Sequence, residues 1–412
     1  MRYNRAMRIA VFTDIYAPWA TGGIASSIQA QKGELERLGH EVVVFCPGFD
    51  AKERGVVTVP TYKYLRINGA AIAKAPSLIK QFVMKRMPEL ADFDVIHVHY
   101  EAGCSIAGIE LARELGLPLV QTMHGREDMA IEMNVPRPLQ VLTAAALDDL
   151  HRYCLPHESK VKRDDFQAPT LSRRRMWQLM VNHANHADIV TAPAEHFAAK
   201  LRHYGVKRPI RVVSNGVNDD LVEQKFPVRK LAEGETLRML WNSRVSQEKR
   251  ILPFLEALSQ LRRPFQLDVY GDGNDLARAL RFVEKHSLPV QFHGKCSREE
   301  IVQQMVRAHL AVMASYNFDV QSMILLEAEA TGLPVFLCDP NLREVLPEGS
   351  YVLAAGPEPE AMAAALEALP AERIEEMSRV MMVHRREALQ STQIQKLLAV
   401  YEEALRLREG KN

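Results

Sequence analysis

Asn317-Phe-Asp-Val-Gln-Ser-Met-Ile-Leu-Leu-Glu327, running into Ala-Glu-Ala-Thr-Gly-Leu-Pro-Val335, sets Asp319 and Glu327 eight positions apart across an apolar run and then breaks at Gly332-Leu-Pro. Glycine followed by proline ends a helix and lets a strand begin. The segment therefore reads as a loop, a helix opening at about Ser322, and a buried strand over Val335-Phe-Leu-Cys338. Asp319 then lies just before the helix N-terminus, and Glu327 a turn or more inside it. Between the two acids stand free backbone N–H groups and the positive end of a helix dipole, which suit a diphosphate. One acid meets each end of an elongated ligand, the layout of a nucleotide-sugar.

The same grammar runs through the chain. Short apolar runs alternate with longer amphipathic ones, the pattern of parallel sheets with crossover helices. In the first half the strand candidates are 8–12, 41–45, 94–98, 118–122 and 188–191. In the second they are 210–213, 237–241, 266–270, 290–292, 310–313 and 334–337. Gly39-His-Glu and Gly116-Leu-Pro close two helices as Gly332-Leu-Pro does. After Leu353 the pattern becomes helical, ending in an amphipathic stretch over 392–407.

At 412 residues the chain exceeds one ordinary core, and two domains are expected. We place them at 1–206 and 207–390, with a final helix over 391–412 packing back on the first. The fold class is α/β, two Rossmann-like domains facing a central cleft, with C-terminal helices. Hydrophobic residues at 47% and charged residues at 25% describe an ordinary globular chain, and a net charge of +1 gives no reason to expect nucleic acid. No apolar run approaches the roughly 20 residues that span a bilayer. The opening Met1-Arg-Tyr-Asn-Arg-Ala6 is short and polar, and no signal peptide is expected. Five scattered cysteines lack paired metal spacing. Buried thiols in a reducing cytosol are the reading for Cys46 and Cys338.

An ordered set of motifs resembles glycosyltransferase family four, the retaining GT-B enzymes, along nearly the whole chain. It comprises Thr13-Asp-Ile-Tyr-Ala-Pro18 with Gly22-Gly-Ile-Ala-Ser-Ser27, Gly39-His-Glu-Val42, Ser214-Asn-Gly-Val217, Arg244 and Lys249 within Asn242-Ser-Arg-Val-Ser-Gln-Glu-Lys249, Tyr270-Gly-Asp-Gly273 and Phe292-His-Gly294. The acidic motif departs from the family's usual form in two places: Asp319 replaces a glutamate, and Ser322 a glycine three residues later.

The resemblance implies a role for each matching residue. Arg244 and Lys249 neutralise the departing nucleoside diphosphate, for which a planar fork of donors and a mobile point charge are the direct chemistry. Gly22 and Gly23 let backbone approach the donor diphosphate. Glu327 accepts from the two ribose hydroxyls, and Asp319 binds hydroxyls of the transferred sugar beside the N–H groups of Gln321, Ser322 and Met323. Asn215 and Gly271 border the donor, and His124 contacts its sugar. Each has a plainer reading: solvated cations, a turn, a helix cap, a structural histidine. Glu329 reads as a surface acid. His97 and His99 alternate on one strand without a carboxylate or cysteine to complete a metal site, and are read as structural. No metal site and no obligatory cofactor is expected.

Acceptor choice belongs to the first half. Glu127 and Asp128, in the loop after His124, are candidates for sugar hydroxyls. Basic residues dominate from Lys52 to Arg86: Lys52, Arg54, Lys63, Arg66, Lys74, Lys80, Lys85 and Arg86 against Glu53. The helix 77–87 among them either docks on an anionic membrane or packs on the sheet, the second being favoured. Lys160-Val-Lys-Arg163 and Arg173-Arg-Arg175 form a second basic stretch that holds an anionic acceptor or covers the cleft. The expected partners are a UDP- or GDP-sugar and a lipid, lipid-linked glycan or other glycan acceptor, in the cytosol with peripheral membrane contact left open, as is the oligomeric state. A catalytically silent GT-B partner subunit is the alternative, and an epimerase or phosphorylase on the same architecture a third.

Overall fold

The computed structural model describes residues 5–20, 22–49, 53–67, 70–156, 160–162, 164 and 168–410. The chain forms two compact units, Met1–Ser214 with Gln393–Asn412, and Asn215–Thr392.

The first unit carries strands β1 (Arg8–Thr13), β2 (Glu41–Pro47), β3 (Val56–Val59), β4 (Thr61–Ile67), β5 (Ala70–Ala73), β6 (Val95–His99), β7 (Leu119–Thr122), β8 (Ile189–Ala192) and β9 (Ile210–Val212). Seven of them build one parallel sheet in the order β3-β2-β1-β6-β7-β8-β9, while β4 and β5 pair separately as an antiparallel ribbon. The central strands are buried on both faces, which is why they read as unbroken apolar runs. On one face Ile9, Val11, Val44, Val95, Val120 and Ile189 form a core with Ile394, Leu397, Val400 and Tyr401 of the last helix, Gln390–Glu409. Arg211 with Glu403 at 2.6 Å and Arg408 with Asp188 at 2.8 Å fasten that helix. One strand assignment is corrected: β9, placed by the sequence in the second half, pairs in parallel with β8 and edges the first sheet.

The second unit carries β10 (Leu237–Asn242), β11 (Phe265–Tyr270), β12 (Val290–Gly294), β13 (Leu310–Met313), β14 (Val335–Leu337) and β15 (Tyr351–Leu353), in the order β12-β11-β10-β13-β14-β15. Alternation along the strands serves two layers. Met239, Trp241, Leu267 and Val312 pack on Phe254 and Leu258, and Leu240, Ala311, Met313 and Leu337 pack on Ile324, Leu325 and Met305.

Both sheets are doubly wound, and strand order reverses between β1 and β6 in the first and between β10 and β13 in the second. Open α/β sheets bind ligands beyond the carboxyl ends of the strands at such reversals. Among the described residues no helix is long and apolar enough to cross a membrane. Cys46, Cys104 and Cys338 are buried free thiols.

Candidate functional site

In the second unit, the loop after β10 carries Arg244 and ends in a short 3-10 turn, Gln247–Lys249. The loop after β13 carries Asp319 and leads to the helix Met323–Thr331, whose N-cap Ser322 makes no side-chain capping hydrogen bond. Lys249 Nζ lies 2.6 Å from Asp319 Oδ1, bridging the two loops across the reversal, with side chains only 10% and 11% exposed. Among the described residues Asp319 Oδ2 is buried without a hydrogen-bond partner. A buried carboxylate oxygen in that condition is costly unless a donor reaches it. Arg244 is 60% exposed, with its guanidinium 2.8 Å from Glu248, which also accepts from Ser246 Oγ at 2.6 Å. One cation is thus held inside the protein and the other is braced at its surface.

Glu327 is the fifth residue of the Met323–Thr331 helix. Its nearest cation, Arg298, is 3.9 Å away, beyond hydrogen-bond reach. Burial pushes its carboxyl up to about 7, against a smaller opposing pull from Arg298. Glu329 corrects the sequence reading: it is buried, and burial followed by the charge of Glu387 pushes it up to about 8. The helix is buried almost all round, from Ile324 to Thr331, so a charge on it does not mark a solvent face.

Backbone sets the floor of this half. A Cβ on Gly271, where φ is +142°, would lie 2.0 Å from the Ser243 carbonyl oxygen, and one on Gly273 2.3 Å from that of Val245. Only glycine lets the β11 loop press against the β10 loop that carries Arg244. Gln321 Oε1 accepts from both the backbone and side-chain N–H groups of Asn215, at 2.8 and 2.9 Å. Asn215, Gln321, Ser322, Met323 and Glu327 are thereby gathered around one helix start.

In the first unit, Gly22 is the N-cap and Gly23 the first residue of the helix Gly23–Arg37, both exposed, with no acidic residue in the first turn. Asp14, at the end of β1, accepts from the Cys104 N–H at 2.8 Å, the Ser105 N–H at 3.2 Å and the Ser105 hydroxyl at 3.1 Å, so it caps the helix Gly103–Leu115. His97 and His99 share a face as expected, with ring centroids 4.0 Å apart. His97 bonds the Tyr401 hydroxyl and Thr122 Oγ1, each at 2.7 Å. His99 Nδ1 bonds His124 Nε2 at 2.8 Å, and burial lowers His124 to about 4, so it is a neutral imidazole whose tautomer its neighbour helps to set.

Glu127 accepts from the Tyr100 hydroxyl at 3.1 Å, and burial pushes its carboxyl up to about 7. Asp128 has no exposed surface, and both its oxygens are taken by Arg126, at 2.7 and 2.8 Å. It braces the loop from within. Two arginines of the second basic stretch are likewise engaged internally, Arg173 by Glu132 at 2.7 Å and Arg175 by Asp148 at 2.9 Å; Arg163 and Lys52 lie outside the described residues. The helix Pro76–Arg86 buries Ile79 and Val83 and ties Lys80 to Glu114 at 2.6 Å, as a crossover helix does. Sequence reasoning passed over Glu101, Glu248 and Arg298. The signal for Glu101 was an acid directly after the β6 histidines and before a helix. Among the described residues no group of three His, Cys, Asp or Glu is placed to hold a metal ion.

Two doubly wound sheets with these rims make a GT-B glycosyltransferase. The chain belongs to glycosyltransferase family 4: residues 21–221 match the Glycosyltransferase Family 4 model and residues 236–372 the Glycosyl transferases group 1 model. It is 26% identical over 355 residues to the alpha-monoglucosyldiacylglycerol synthase of Streptococcus pneumoniae, covering 80% of this chain and 70% of that one. It is 24% identical over 349 residues to the GDP-mannose-dependent alpha-mannosyltransferase of Mycobacterium tuberculosis, covering 81% and 79%. The crystal structure of Anabaena Alr3699/HepE in complex with UDP and glucose shares the fold, with a TM-score of 0.65 at 14% identity over 96% of this chain and 100% of that one.

Proposed function

We propose that the protein transfers a hexosyl unit from a UDP- or GDP-sugar to a lipid-linked acceptor, with retention at the anomeric carbon. The observation that carries this reading is the Lys249–Asp319 pair at 2.6 Å, on the loop that leads into the helix of Glu327. Glu327 takes the ribose hydroxyls, whose two donors offset the burial of its carboxyl. The helix start at Ser322 and Met323, with Gly271 and Asn215 close to the loops, meets the diphosphate. Lys249 and Arg244 neutralise charge as the phosphate departs. Asp319 fixes the Lys249 ammonium through Oδ1 and offers Oδ2 to a sugar hydroxyl. In the first unit, Gly22 and Gly23 suit phosphate and neutral His124 suits a sugar hydroxyl. Retention follows from same-face attack, the leaving phosphate oxygen taking the acceptor's proton, with no protein nucleophile.

A lipid-linked acceptor is supported by the name of the pneumococcal relative. It is also supported by the helix Arg137–Cys154, which exposes Leu139, Leu142, Leu150 and Tyr153 at helical spacing while burying Ala144, Asp148 and His151. Such a stripe suits peripheral contact with a bilayer. The test is transfer from radiolabelled UDP-glucose, UDP-galactose and GDP-mannose to lipids in mixed micelles, with product anomers read by NMR. An α-linked lipid product from one donor is expected. An inverted product, or binding of no nucleotide-sugar, would overturn the reading.

A further inference from the structure

The carboxyl end of the first sheet holds acids that the donor chemistry does not use. Asp14 is fully engaged by the start of the Gly103–Leu115 helix. Glu101, two residues beyond β6, is only 9% exposed, and among the described residues its carboxyl receives no hydrogen bond and pairs with no cation. Asp14 meets the helix that starts two residues after Glu101, and the hydroxyl of the preceding Tyr100 bonds Glu127, which places the three acids at the carboxyl end of the first sheet. Glu127 accepts one hydrogen bond, from Tyr100, the residue that joins β6 to Glu101. A carboxyl at the rim of so buried a residue, without a protein donor, is one that an incoming hydroxyl can satisfy.

We infer that Glu101 and Glu127 form a hydroxyl-reading site for the acceptor, and that the acceptor is therefore a lipid bearing a sugar head group rather than a bare diacylglycerol; this rests on the glycosyl-transfer reading above. A diacylglycerol offers one hydroxyl, which is the attacking group. Two acids need further donors, and a hexosyl head group supplies several on one rigid ring. Burial holds Glu101 well above the usual carboxylate range and Glu127 at about 7, so near neutral pH the pair retains proton. Hydroxyls, which donate and accept, match such a pair better than a cation does.

The test uses the full chain and its Glu101→Gln and Glu127→Gln variants. Isothermal calorimetry measures binding of soluble glucosylglycerol, against glycerol, and of the nucleotide-sugar; micellar assays compare diacylglycerol with monoglucosyl-diacylglycerol as acceptors. Glucosylglycerol binding weakened by ~10-fold or more in both variants, at unchanged nucleotide affinity, is expected, together with a similar rise in KM for the glycosylated lipid. Equal use of bare diacylglycerol by the wild type, or unchanged sugar binding in the variants, overturns the inference. So does parallel loss of nucleotide binding, which would mark a structural role. If the wild type binds no nucleotide-sugar, the proposed function fails, while glucosylglycerol binding that depends on Glu101 still decides this site.

Discussion

The two units wind their sheets in the same order and arm the same topological position with opposite charge. Beyond β1, β6 and β7 stand Asp14, Glu101 and Glu127; beyond β10 stand Arg244 and Lys249, each met by a carboxylate. The bridge across each reversal is also inverted. In the first unit a carboxylate from the earlier loop meets backbone N–H groups of the later helix. In the second an ammonium from the earlier loop meets a carboxylate ahead of the later helix. One winding order thus produces a rim suited to hydroxyl donors and a rim suited to phosphate, through the side chains placed at the strand ends.

Lys249→Ala tests the contrast most severely. It removes the interior cation and strands Asp319, and kcat should fall by ~10²–10³-fold. Steady-state rates near wild type would leave the cationic rim without a catalytic purpose. Gly271→Ala attacks the backbone instead: its Cβ, 2.0 Å from the Ser243 carbonyl, should cost about 2 kcal/mol in urea unfolding and displace the Arg244 loop. Glu327→Gln should weaken nucleotide binding by ~10-fold. In the wild type, hydroxyl donors favour the charged carboxyl, so binding near pH 6.5 should release protons; calorimetry in buffers of different ionisation enthalpy reads this, and proton release unchanged by the substitution would remove Glu327 from the ribose.

Glu329→Gln is the mildest. Its carboxyl, at 4.5 when unfolded and about 8 when folded, holds a proton in the native state that the unfolded state has released. Stability is therefore lost as pH rises from 4.5 through 8. The substitution should raise the unfolding free energy by about 1 kcal/mol at pH 8.5 and leave it unchanged at pH 4. The opposite sign would mean that Glu329 has a charged partner.

Much of this was legible in the residues. The glycine-proline breaks and apolar runs located eleven strands, most of them parallel strands buried on both faces, which leave a signal that survives without an alignment. The short edge strand β9 could not be placed, since three residues do not state which sheet they join. Glu329 was misread because a helix enclosed on all sides has no polar face to betray it. Two arginines of the second basic stretch proved to be internally paired, Arg173 with Glu132 and Arg175 with Asp148, which linear spacing of 27 to 41 residues does not announce. Lys249 and Asp319, 70 positions apart, were singled out separately, but their pairing is a property of the fold alone.

The split composition of the first unit bears on how the molecule is made. On the ribosome, residues 1–214 emerge with one side of their sheet only partly covered, by Tyr16, Ile28 and Leu35, because the segment that completes that core returns at Gln393, after 178 intervening residues. The second unit is continuous and closes its own core during that interval. Assembly therefore finishes out of chain order: the nascent first unit waits with part of one sheet face open, a natural client for a holding chaperone, until Tyr401 arrives to meet His97.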